Sequence, residues 1–365
     1  MTPAVTARAP GKLVLAGEFA VLEPGHPGIV AAVARHVTAE LSWGEAVFAA
    51  QERSCAWARE GLAVRADLAD QPFALMAQAT SVAFAFLEAQ GDRPEGFALR
   101  LTSTMHDETG AKLGLGSSAA TAVAVVAAVL TAFGRPVDRL TLFKLSMTAH
   151  RLALGPGSGI DVAASVFGGH LRYTGVTGSW LQRLLSRGGL GATSEIATRT
   201  WPGLGVEPLP APPLAMRVGW TGEPSSTGAQ LRRLRRRRRF HAQAYGWFLA
   251  ESDAEVARFA HALRGADDKS LLEAVRGLRQ ALWRLSSELA VPIETVRLSE
   301  LADLAQSLGG AGKSSGAGGG DCGIAFVPDG AGDTLERLWR ERGITPLDLS
   351  AGADGILVAR GKAVC

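Results

Sequence analysis

Residues 112–133 read KLGLGSSAATAVAVVAAVLTAF, a glycine-broken loop that runs straight into an uncharged apolar stretch. Gly114 and Gly116 permit tight turns and let a ligand come close to the main chain. A helix starting at Ser117 presents unpaired N–H groups and the positive end of its dipole at the same place, which suits phosphate. Ser118 stands where a hydroxyl can reach a phosphate oxygen or a magnesium ion. The same letters also fit a tight turn with a serine cap, so the stretch alone leaves both readings open. Ser117–Phe133 is about as long as the shortest membrane spans. It is rich in Ala and Val, lacks an aromatic belt and follows the glycines directly, so the expectation is a helix buried in a protein core.

Upstream of this loop, Val5–Ala9 and Leu13–Ala16 read as apolar strand segments separated by Pro10-Gly11, with further strands over Ile29–Val33 and His36–Leu41. Gln71–Gln90 carries helical spacing and stops at Gly91, and Phe97–Thr102 alternates as a strand does. Downstream, Leu140–Leu154 reads as a helix closed by Gly155-Pro156-Gly157. Trp201–Pro213 holds five prolines in thirteen residues; it is expected to be irregular and to mark a domain junction. Leu214–Trp220 then reads as a strand, helical patterns dominate from 228 to 308, Cys322–Val327 is an apolar strand, Thr334–Arg342 a helix and Gly355–Ala359 a last strand. Strands and helices without strict alternation point to α+β layers. The length of 365 residues suits two domains, drawn here as 1–205 and 206–365.

Composition narrows the function class. A content of 47% hydrophobic and 20% charged residues is that of a folded protein. The net charge of +3 is too small to argue for nucleic acid by itself. Cys55, Cys322 and Cys365 have neither CxxC pairing nor His/Cys ligand spacing, so neither a disulfide framework nor a zinc site is expected. The opening MTPAVTARAPGK lacks the charged start and apolar core of a secretory signal. A cytoplasmic protein with no membrane association is the expectation.

A second glycine-dense segment runs from Lys313 to Cys322, KSSGAGGGDC. Successive small residues can form an anion-binding nest, or they can form a flexible linker; the strand that follows at once favours a loop lining a ligand. Gly312-Lys313-Ser314 imitates the end of a P-loop. The first glycine of that motif would fall on Ser307, and here a helix precedes and a strand follows, the reverse of the P-loop context.

Three segments, APGKLVLAGE (9–18), GLGSSAA (114–120) and SGAGGG (315–320), occur in an order and spacing that resemble the GHMP kinase family. Within it, APGKLVLAGEFAVLEPGHPG (9–28), SGIDVAASVFGG (158–169), WPGLGVEPLPAP (201–212), VGWTGEPSST (218–227) and SGAGGGDCGI (315–324) are similar to the bacterial branch that acts on 5-phosphomevalonate. The likeness spans roughly residues 7 to 349. It implies a two-domain GHMP kinase fold: an N-terminal α/β domain like one found in a small-subunit ribosomal protein, and a ferredoxin-like C-terminal domain, with the active site between them. It implies ATP and Mg2+, and a small phosphorylated acceptor.

Carried over residue by residue, the resemblance makes Lys12 and Asp161 the catalytic pair and Lys112, Gly114, Leu115, Gly116, Ser117 and Ser118 the ATP-phosphate loop, with Ser118 as metal ligand. Glu18, Ser158, Ser225, Ser226 (with Thr227 beside it) and Gly318–Gly320 become acceptor contacts, alongside Lys12 and Asp161. The serines would serve equally well as turn caps. The attacking group would be a phosphate oxygen, already mostly ionised at neutral pH by analogy with phosphorylated side chains. Asp161 is therefore expected to orient Lys12 and shape the field rather than to remove a proton. Two departures separate the chain from mevalonate kinases: Phe19 replaces the histidine of their GEH motif, and His150 stands where they carry a metal-binding glutamate. Neutral imidazole suits magnesium poorly. Finally, Arg232–Arg239 puts seven arginines into nine residues counted from Leu231. That run could grip nucleic acid, lie solvated on a helix face, or steer anionic substrates toward the adjacent WTGEPSST; nucleic acid is not the expected partner.

Overall fold

The apolar runs on either side of Pro10-Gly11 form one strand in the computed structural model, which describes residues 3–177, 179–225 and 227–361. This is β1 (Val5–Ala16), and it bends at a register shift between Pro10 and Gly11 while pairing with the equally continuous β2 (Pro27–Trp43). Next come β3 (Val47–Ala50), β4 (Arg53–Glu60), β5 (Ala63–Ala66), α1 (Phe73–Ala89), β6 (Phe97–Ser103), α2 (Ser117–Ala132), α3 (Arg139–Leu154), α4 (Ile160–Phe167), β7 (His170–Thr174), α5 (Trp180–Gly188), α6 (Thr193–Thr198) and β8 (Gly205–Leu209). The chain then continues through β9 (Ala215–Trp220), α7 (Thr227–Arg237), α8 (Ala242–Gly265), α9 (Asp268–Leu289), α10 (Val296–Ser307), β10 (Ala311–Ser314), β11 (Cys322–Val327), α11 (Gly332–Glu341), β12 (Thr345–Leu347) and β13 (Leu357–Arg360).

Two sheets organise these elements. The larger runs β13-β1-β2-β6-β3-β4-β5. The seventeen-residue β2 is long enough to hold β6 along Val37–Trp43 and β7 along Pro27–Ala31, and β8 pairs β7 outside it. The smaller sheet has the order β10-β11-β9-β12, all antiparallel. With β9, helices, β10, β11, α11 and β12 in chain order, this is the ferredoxin-like arrangement. The fold is α+β, as expected.

The proline-rich segment departs from expectation. Residues 205–209 form β8, with Pro208 opposite Leu171. Proline is tolerated there because β8 lies at a sheet edge and, among the described residues, pairs with β7 alone. β13 likewise returns to pair with β1. A division at 205/206 therefore assigns both β8 and β13 away from the sheet that holds them. Strand pairing carries the N-terminal unit through Leu209 and takes the tail back into it.

α2 supplies the core beneath the cleft. Every residue from Ala119 to Leu130 is buried, and its alanines let the helix sit close to the sheet and to neighbouring helices. The apolar stretch is thus spent on packing within the protein, and no helix among the described residues is long and apolar enough to cross a membrane. Side-chain caps begin α3 (Asp138), α9 (Asp267) and α10 (Thr295). Phe19 ties the two halves of the chain together. It adopts φ 62 and packs in a cluster with Leu234, Phe248, Leu285 and Ile293 from the C-terminal half. A positive φ on a bulky residue is strained, and burial across the junction compensates for it.

Candidate active site

A cleft of about 590 Å³ lies between the two sheets. Its first wall is the junction of β1 with the loop before α2. The Lys12 N–H donates to Leu115 O at 2.8 Å, and Lys12 Nζ donates to Gly114 O at 3.0 Å. Both glycine positions are needed for this approach. A Cβ on Gly11 would come within 2.9 Å of Leu115 O, and one on Gly116 (φ +82) within 2.9 Å of Lys12 Cγ. Gly116 is also the residue before the first turn of α2, and no side chain caps that turn. The first N–H groups of α2 therefore face the cleft with Lys12 lying across their approach, a combination that favours anionic oxygen. Gly114, Leu115, Gly116, Ser117 and Ser118 all line the cleft, as does the exposed Lys112.

The start of α4 faces the same space but is closed by its own side chains. Ser158 Oγ accepts from Ile160 N at 3.3 Å, Asp161 Oδ1 accepts from Val162 N at 3.0 Å, and Tyr173 donates to Ser158 O at 2.7 Å. Ser158 thus caps a turn while lining the cleft. Asp161 and Lys12 both line the cleft, but among the described residues they form no ion pair with each other. Asp161 Oδ2 instead lies 4.0 Å from His150 Nε2, which is 3.3 Å from Ser118 Oγ. The expected orienting of Lys12 by Asp161 is replaced by contact of Lys12 with Gly114 O. The reason is steric and polar: the lysine stem runs over Gly116 and ends at a main-chain acceptor.

The C-terminal half supplies the opposite wall through Ser225, Ser315, Gly316, Ala317 and Asp321. Ser225 N donates to Asp321 Oδ1 at 3.0 Å, and Ser225 Oγ donates to Gly318 O at 2.6 Å. Asp321 has φ 55 and packs directly on Gly114, where any Cβ would clash with it. Burial raises the Asp321 carboxyl above its ordinary range, opposed by the Ser225 N–H and the charge of Lys12. Ser226 lies outside the described residues.

Gly318–Gly320 do not line the cleft. A Cβ on Gly318 would overlap Ile293 O, one on Gly319 the Gln230 amide, and one on Gly320 Glu223 O. The tract is packed against the main chain of Ile293 and Glu223 and the side-chain amide of Gln230, with Gly319 N donating to Ile293 O at 2.7 Å, and Asp321 follows it directly. Lys313, in the segment that imitates a P-loop, lies in β10. It is completely buried and ion-paired with Glu18 from the other half of the chain. Burial lowers the Lys313 pKa and Glu18 opposes that shift. Glu18 borders the cleft, and its Oε2 is buried without a partner among the described residues.

Sequence reasoning gave no role to Asp321 or to the Glu18–Lys313 pair. Asp321 ends the glycine tract, which was the available signal. The ion pair joins residues 295 positions apart, and no local pattern announces it.

Comparisons with known proteins agree with this architecture. Residues 65–169 match the GHMP kinases N terminal domain, and residues 249–345 match the GHMP kinases C terminal region. The chain is 36% identical to phosphomevalonate kinase of Streptomyces sp. strain CL190, over 96% of this chain and 98% of that one. It is 26% identical to mevalonate kinase of Thermococcus gammatolerans, over 97% and 98% of the two chains. Among solved structures, the Lin0012 protein of Listeria innocua superposes with a TM-score of 0.92 at 34% identity, covering 98% of this chain and 99% of that one. Streptococcus pneumoniae phosphomevalonate kinase in complex with phosphomevalonate and AMPPNP superposes with a TM-score of 0.82 at 26% identity, covering 95% and 99%. With both halves matched and near full-length identity of this order, the chain belongs to the GHMP kinase family.

Proposed function

We propose that this protein is a phosphomevalonate kinase, transferring the γ-phosphoryl group of ATP to the phosphate of 5-phosphomevalonate to give the diphosphate. The observation that carries this reading is the uncapped start of α2 facing a cleft with Lys12 lying across Gly116, in a chain resembling a kinase solved with phosphomevalonate and a nucleotide analogue. Phosphoryl transfer rests on positioning and on neutralising charge. The N–H groups at the start of α2 bind the nucleotide phosphates, and Ser117 and Ser118 add hydroxyls. Lys12 sits between nucleotide and acceptor and offsets the charge gathered there. The attacking phosphate oxygen is already ionised and needs no strong base, which accords with Asp161 sitting beside His150 rather than beside Lys12. His150 instead holds the Ser118 hydroxyl in position, with the Asp161 carboxylate 4.0 Å from the imidazole.

Magnesium fits the residues present. No group of three or more His, Cys, Asp or Glu among the described residues could cage a metal, while Ser118 offers an oxygen beside the phosphate loop. Magnesium commonly takes one or two protein oxygens plus phosphates and water. When bound, it would neutralise charge on the nucleotide phosphates. We also propose a cytoplasmic site of action, where ATP and phosphorylated metabolites occur together.

The test is an ADP-release assay across phosphomevalonate, mevalonate, galactose and homoserine. Turnover should be confined to phosphomevalonate. Preference for mevalonate, or release of carbon dioxide from a diphosphorylated substrate, would overturn the assignment in favour of a different family member.

A further inference from the structure

A second pocket of about 330 Å³ adjoins the reaction cleft and shares Val21, Leu22 and the Pro156–Ser158 segment with it. Three arginines line it: Arg151 from α3, and Arg235 and Arg238 from the arginine run at and after α7. Their pairing differs. Arg238 is ion-paired with Glu23 and lies over the Tyr245 ring. Among the described residues Arg235 donates only to the main-chain oxygen of Pro156, at 3.2 Å, and Arg151 only to the neutral Gln182 side chain, at 3.4 and 3.2 Å. Among the described residues neither Arg151 nor Arg235 has a carboxylate partner.

Two guanidinium groups without counter-ions, brought to one half-buried pocket from opposite halves of the chain, disfavour one another. Burial and then the charge of Arg235 both act against the Arg151 cation. Such a pair is relieved by an anion that accepts from both forks. Val21, Leu22, Val176 and Leu234 give the lining an apolar stretch, and the one carboxylate in it, Glu23, is neutralised by Arg238.

This inference rests on the functional reading above. Phosphomevalonate is a short branched chain with a phosphate at one end and a carboxylate at the other. Its phosphate must meet Lys12 and the start of α2, so the carboxylate must find its cations elsewhere. We propose that Arg151 and Arg235 seat the carboxylate of the acceptor, with its carbon chain passing Ser158 along the apolar stretch. The seat bridges the two halves of the chain, and it gives one member of the arginine run a role in selecting the acceptor.

Steady-state kinetics of Arg151→Gln and Arg235→Gln with phosphomevalonate, its methyl ester and ATP test this. Each variant should raise KM for phosphomevalonate about 10- to 100-fold, the loss expected for a charge-assisted hydrogen bond. KM for ATP should stay within about twofold, and the ester, poor for the parent protein, should be handled no worse by the variants. Arg235→Lys should recover part of the loss. Unchanged KM for the acid, or equal shifts for acid, ester and ATP, would overturn the proposal while leaving the kinase reading intact. If neither variant folds, the parent protein decides alone, since equal KM for acid and ester rules out a cationic seat. A parent protein inert toward phosphomevalonate would instead sink the functional reading, and this one with it.

Discussion

The two glycine-rich segments, 114–118 and 318–320, both hold glycines at positive φ and have opposite duties. In the first, Gly114 and Gly116 hold positive φ so that a loop can touch β1, carry the stem of Lys12 and leave the first turn of α2 without a side-chain cap. Its backbone is turned toward the cleft. In the second, Gly318, Gly319 and Gly320 also hold positive φ, yet each fills a space already bounded by Ile293, Gln230 or Glu223. Its backbone is turned into the protein. Glycine serves as exposure in one place and as minimal volume in the other, and only the neighbours decide which.

Substitutions can break this contrast. The largest effect is expected from Lys12→Met: turnover should fall about 10³-fold, comparable to losing a preorganised charge donor, with little change in the denaturant midpoint. Asp161→Asn should slow turnover less, because Asp161 is not paired with Lys12; a larger loss at Asp161 across the pH range would reverse that ranking. Next comes Gly320→Ala. Its Cβ would overlap Glu223 O at φ +138, and stability should fall by about 2–4 kcal/mol in chemical unfolding while KM for ATP holds in the folded fraction. Weakened ATP binding with unchanged stability would show that the second loop is a ligand loop after all.

Gly116→Ala should show the opposite profile. The left-handed backbone costs about 1–2 kcal/mol of stability with a Cβ present, whereas displacement of the Lys12 stem should lower kcat about 10- to 100-fold. The smallest effect concerns Asp321, where the two loops touch. Burial raises its carboxyl pKa, so the folded state holds a proton that the unfolded state releases. Its contribution to stability therefore falls as pH rises from the ordinary carboxylate range through the folded value. Asp321→Asn keeps an oxygen acceptor for Ser225 N–H and cannot ionise. Its melting temperature should gain on that of the parent protein as pH is raised from about 4 to 7. A gap that narrows over this range would mean that the carboxylate is better compensated than its surroundings indicate.

Much of the fold could be read from residues near in sequence. The apolar run of α2, the stop of α1 near Gly91 and the strands β6, β9 and β11 follow from periodicity and breakers. The hairpins β3 to β5 did not, because β4 is exposed along most of its length and shows no clean alternation. The proline-rich β8 was hidden because edge position, which makes proline acceptable, is a property of the sheet. At the site, the segments around Lys12 and at 114–118 each stand out as a short motif, while their meeting across the chain is visible only in the structure. The burial of Gly318–Gly320, the turn of Arg235 toward Pro156 and the partner of Lys313 depend on residues far away along the chain.

The sealed Glu18–Lys313 contact bears on how the molecule can move. It fastens the two halves at a point where water is excluded, and parting them there would strand a carboxylate and an ammonium group before solvent could reach either. Any opening of the cleft is therefore expected to begin away from this contact, where parting the halves leaves no buried charge without its partner.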